Sequence, residues 1–75
     1  MPIKFSEHAL LQIAKRKIKK EDVLNTIKYS DQTKTSYRGR KLRKKYINDK
    51  LLEVVTRTEG PNIIVVTAYI LEGEL

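Results

Sequence analysis

The chain has no cysteine, which rules out a disulfide staple and a thiolate metal site. It has one histidine, His8. A zinc site would need carboxylates gathered around that residue, and no such cluster appears in the sequence. No metal and no cofactor are expected. The longest aliphatic run, residues 63–66, falls far short of the roughly 20 residues that cross a bilayer. The opening residues MPIKFSEH carry no apolar signal core, so a cytoplasmic setting away from membranes is the expectation. Three glycines, none grouped, give no phosphate-cradling loop. Nucleophilic serine motifs and suitably spaced carboxylate pairs are missing as well.

The most informative absence is acid. None lies between Asp31 and Asp49, while Lys34, Arg38, Arg40, Lys41, Arg43, Lys44 and Lys45 crowd the same interval. Residues 1–31 carry a net +3, residues 32–48 carry +7, and residues 49–75 carry −3. The middle segment therefore accounts for the whole-chain +7. A patch this dense suits a polyanion, because cations that meet phosphates release condensed counterions. It equally describes a solvated hairpin held soluble by its charge.

With 75 residues, one small basic α+β domain spanning 1–75 is expected. So small a core often gains stability from a partner, which makes a homodimer or a bound protein reasonable. Residues 2–5 read as a short strand, with Ile3 and Phe5 on one side. Ser6 is a helix N-cap, with Glu7 in the first turn where its charge suits the dipole. The first helix is expected over residues 7–16, with Ala9, Leu10, Ile13 and Ala14 as its apolar stripe and Leu11 off it. His8, Gln12 and Arg16 share its other side. A second helix opens at Glu21 and Asp22, weakly capped, and stops near Tyr29.

After residue 32 the period becomes extended. Strands are expected over residues 33–38, 41–47, 51–58 and 63–70, with turns at Gly39, at residues 48–50 and at residues 59–62. This predicts a helix pair packed on one face of a three- to four-stranded antiparallel sheet, leaving the other face open. In the second strand, Leu42 and Tyr46 would face the helices, while Arg43 and Lys45 would share the open face with Arg57 and Tyr69. In the last, Ile64, Val66, Ala68 and Ile70 would point inward, and Ile63, Val65, Thr67 and Tyr69 outward. A one-residue slip would exchange these faces. Residues 72–75 read as a short, mobile acidic tail.

His8-Ala9, then Arg16 and Ile18 ahead of Glu21-Asp22-Val23, resembles a prokaryotic family of unknown function with an H-A-x-x-R-x-x-x-R-x-I type helix. Leu52-Glu53-Val54-Val55 and Val65-Val66-Thr67-Ala68-Tyr69 resemble its last two strands. His8 and Arg16 match the family histidine and second arginine. Gln12 stands where the first arginine belongs, and Lys17 where glycine is common. The topology is also similar to the RelE/ParE toxin superfamily, small basic proteins of which many cut messenger RNA without a metal and others act on DNA gyrase. That similarity implies an endoribonuclease-type toxin of a toxin–antitoxin pair, with RNA as substrate and an antitoxin as partner.

Metal-free RNA cleavage needs a base, an acid and cations for the developing phosphorane charge. The candidate catalytic residues are His8, Arg16 and Tyr69, with Thr67 placed to orient one of them. The dipole at its helix N-terminus favours His8 as a base over an acid. Arg38, Arg40, Lys41, Arg43, Lys45 and Arg57 are the candidate nucleic-acid ligands, and Tyr37, Tyr46 and Tyr69 could stack bases. The same residues have ordinary roles open to them: His8 as a surface residue, Arg16 paired to Asp22, the tyrosines as packing. A nucleic-acid-binding module without chemistry, or a toxin-like protein acting by protein contact, fits the same charge.

Overall fold

The computed structural model describes residues 2–72. The order is β1 (Ile3–Phe5), α1 (Glu7–Lys15), α2 (Lys20–Lys28), β2 (Gln32–Thr35), a 3-10 turn (Tyr37–Gly39), β3 (Lys41–Ile47), β4 (Lys50–Glu59) and β5 (Asn62–Glu72). The chain is α+β, with both helices packed against one sheet. That sheet has five strands in the order β1-β5-β4-β3-β2 and is mixed, which corrects the expected three- to four-stranded antiparallel one. The difference comes from β1, whose three residues pair in parallel with Ile63, Ile64 and Val65 of β5. Such a pairing spans most of the chain and leaves no local signal. Of the expected acidic tail, Glu72 ends β5, and residues 73–75 lie outside the described residues.

Local chemistry fixes the elements. The Ser6 hydroxyl accepts the Ala9 amide at 3.0 Å and starts α1. The helix ends at Lys15, one residue before the expected end, with Arg16 as its C-cap, and Lys17 turns left-handed at φ 57. The Ile18 amide then donates to Ile13 at 2.8 Å and the Lys17 amide to Ala14 at 3.2 Å. This pair of bonds closes a Schellman turn, with Ile18 and Ile13 meeting in the core. The left-handed backbone at Lys17 also gives a reason for glycine in the pattern the chain resembles. No side chain caps the start of α2.

Asn48 and Asp49, at φ 48 and 65, make the two-residue I′ turn between β3 and β4. Gly60, at φ 59, opens the turn from β4 to β5, with Pro61 second. The expected strand over 33–38 stops at Thr35, because Arg38 and Gly39 take φ 60 and 70 and curl the chain.

The core lies between helices and sheet. Ala9, Ile13, Ile18, Val23 and Ile27 meet Leu52, Val54, Val65 and Ala68, flanked by Ile3, Phe5, Ile47, Ile63 and Ile70. Leu11 stays largely exposed, 70% open to solvent.

A register shift in the β4–β5 ladder decides which side chains β5 sends inward. Val55 pairs with Thr67 and Thr56 with Val65, so Val66 is an extra residue, a β-bulge. Ile63 and Val65 consequently join the core, and Ile64 and Val66 do not, reversing the expectation for that half. Beyond the bulge, Ala68 and Ile70 point inward and Thr67 and Tyr69 outward, as expected. On β3 the assignment is also reversed: Ile47 packs on the core, so Arg43 and Lys45 share its side, and Leu42, Lys44 and Tyr46 take the open face.

Candidate functional site

Three strands place one polar row across the open face. Lys44 on β3 pairs in register with Glu53 on β4, and Glu53 with Tyr69 on β5. The Tyr69 hydroxyl donates to Glu53 Oε1 at 2.5 Å, while Lys44 Nζ lies 3.7 Å from Glu53 Oε2. Glu53 is only 4% exposed, although both helices pack on the opposite face of the sheet. A carboxylate so enclosed is tolerable because a cation and a phenol partner it. Burial, the hydrogen bond to Glu53 and that group's charge push the Tyr69 phenol up to about 12, against a smaller opposing pull from Arg16.

Arg16 reaches this row from the helix layer. β1 ends opposite Val65, leaving the outer edge of β5 unpaired from Val66 onward. The guanidinium of Arg16 lies against that edge, with Nη1 donating to the Ala68 carbonyl at 2.9 Å and to Thr67 Oγ1 at 3.3 Å. Thr67 thus orients Arg16, and the free edge gains a charged cover. Lys44, Glu53, Tyr69 and Arg16 together offer a proton acceptor, a proton donor and two cations at one surface.

The three expected catalytic residues do not all converge. Arg16 and Tyr69 meet at the β5 edge. His8 is exposed in the first turn of α1, eight residues before Arg16, which is about 12 Å along a helix. Glu53 and Lys44 complete the row and were not among the expected site residues. One signal for Glu53 was present: a lone acid inside the apolar stretch Leu51 to Val55 needs a partner wherever it points.

The basic stretch divides sharply. Arg43 does not lie on the open face: its Nε donates to Thr56 Oγ1 at 3.1 Å and its Nη1 to the Ile27 carbonyl at 3.3 Å. Lys45 donates to the Tyr29 carbonyl at 3.1 Å and sits 3.8 Å from Asp31. Both serve the C-terminal end of α2, whose carbonyls and dipole call for cations. Arg57 is on the open face, as expected, but is paired to Glu59 at 3.1 Å. Arg38, over the Tyr37 ring at 5.2 Å, and Arg40 are exposed in the turn before β3, and Lys41 is exposed at its start. Lys34 on β2 lies opposite Leu42. The exposed cations therefore form a rim along one end of the sheet.

A family model described as a domain of unknown function, DUF4258, matches residues 5–70. The chain belongs to this family. The matched span takes in Arg16, Lys44, Glu53, Thr67 and Tyr69, so the whole polar row falls inside the DUF4258 domain. No curated protein and no solved structure matches the chain. Among the described residues, no helix is long and apolar enough to cross a membrane, and no three acidic or histidine side chains gather in one place.

Proposed function

We propose that this DUF4258 domain is a metal-independent endoribonuclease-type toxin of a toxin–antitoxin pair, cutting RNA on its open sheet face. The observation that carries the reading is the Tyr69–Glu53 hydrogen bond, flanked by Lys44 and Arg16. The likeness of the element order to RelE/ParE toxins supports it from a second side. In this reading Glu53 takes the proton of a ribose 2′-hydroxyl, and the 2′-oxygen forms a bond to phosphorus. The bond from phosphorus to the 5′-oxygen breaks, and Tyr69 protonates the leaving oxygen. The proton on Glu53 then returns to the phenolate, restoring the pair. Arg16 and Lys44 offset charge on the phosphorane, and Arg38, Arg40 and Lys41 guide the strand in. An antitoxin covering this face would silence it.

Purified protein incubated with labelled RNA in EDTA tests this. Cleavage should yield 2′,3′-cyclic phosphate ends and fall roughly 100-fold or more in Glu53→Gln and Tyr69→Phe. It should stay within a few-fold of wild type in His8→Ala. Dependence on His8 but not on Glu53 would overturn the assignment. A second reading, an RNA-binding module without chemistry, is favoured by the separation of His8 from the row and by Gln12 in place of an arginine. Tight binding with no cleavage by the wild-type protein would select it.

A further inference from the structure

A cavity of about 300 Å³ opens on the helix side of the sheet and shares only Arg16 with the polar row. Two left-handed turns frame it: the one through Lys17 between the helices, and the Asn48–Asp49 turn between β3 and β4. Its apolar lining is Ile18, Ile47, Leu52 and Ile70. Arg16, Lys17 and Lys50 stand around it against a single acid, Asp22.

We infer that this cavity is the socket for an aliphatic side chain carried by an acidic peptide segment of a partner protein. Its volume is at the lower end of ligand pockets, enough for one large side chain with its flanking backbone. Its aliphatic walls have no aromatic face on which a nucleobase could stack, which separates it from the RNA-directed surface. Three cations against one acid favour glutamates or aspartates on either side of the inserted residue, and the +7 of the chain steers such a segment inward. Arg16 uses Nη1 for the β5 edge and keeps its remaining N–H donors for a carboxylate. The socket rests on cavity shape and charge alone, so it stands whether or not the chain cleaves RNA.

The test is amide chemical-shift mapping of the full chain, titrated with a seven-residue peptide of one central leucine between glutamates. Shifts should cluster at Ile18, Ile47, Lys50 and Leu52. Replacing the leucine with glycine, or the glutamates with lysines, should weaken binding at least tenfold. Lys50→Glu should do the same, as a surface change that leaves the core alone, and Ile47→Phe should block the socket by filling it. No shifts at millimolar peptide, shifts indifferent to the leucine, or stronger shifts there from oligouridylate than from the peptide would each overturn the inference.

Discussion

Strand β3 carries two sets of side chains in alternation, and they meet different fates. Arg43 and Lys45, on the helix side, are bound to the carbonyls of Ile27 and Tyr29. Lys44, between them in sequence, points to the other face and partners Glu53. Arg38, Arg40 and Lys41, just before the strand or at its start, are exposed. Six cations close in sequence thus divide into those that hold the fold and those that can meet a ligand. Net charge measures attraction at long range, but the number of phosphates met depends on which cations already have partners.

Removing a cation from each set should break this contrast most visibly. Arg43→Ala should cost about 2 kcal/mol in denaturant unfolding, because it strips a hydrogen bond from the buried Thr56 hydroxyl and one from the α2 terminus. Its effect on the salt dependence of RNA binding should be negligible, and a large change would return Arg43 to the ligand set. Alkaline titration sharpens the open-face side. Tyr69 holds its proton more tightly folded, at about 12, than the ordinary value of 10 it would have unfolded. The folded state therefore binds more protons between these values, and stability should be full below pH 10 and decline toward pH 12. In Glu53→Gln that decline should shrink and the Tyr69 phenol should ionise at lower pH, as ultraviolet difference spectra would read. Lys17→Gly should stabilise the chain by about 1 kcal/mol, since glycine adopts the left-handed turn freely. Lys34→Ala with Arg40→Ala should be smallest in stability, within about 0.5 kcal/mol. The slope of log affinity for single-stranded RNA against log salt should nevertheless flatten by about 0.7 per contact removed. An unchanged slope would take the rim out of RNA binding.

Much of the fold can be read from single residues whose chemistry is local. Ser6 caps, Asn48-Asp49 and Gly60-Pro61 turn, and the apolar spacing of Ala9 and Ile13 fixes the buried side of α1. What escaped reading depends on partners distant in sequence. The pairing of β1 with Ile63–Val65 spans about sixty residues, and nothing in IKF announces it. The site was half legible for the same reason. The sequence points to Arg16, Thr67 and Tyr69, but Glu53 gains its meaning only once β3 and β5 are laid beside it. Arg43 and Lys45 lie on the face opposite to the one expected, because the alternation in β3 fits either phase. Leu42 and Tyr46 are apolar enough for a core, yet Ile47 is the side chain that reaches it.

The bulge at Val66 gives β5 two reading frames. Before it, odd-numbered positions supply the core, and after it, even-numbered ones do. One strand can therefore keep an oily inner surface along its length while its second half presents Thr67 and Tyr69 outward on a separate schedule. Deleting that one residue would merge the frames: either the phenol would be driven under the helices, or Ile63 and Val65 would be turned out to water. The location of the polar row thus hangs on the length of the strand as much as on its composition, through a valine that takes no part in it.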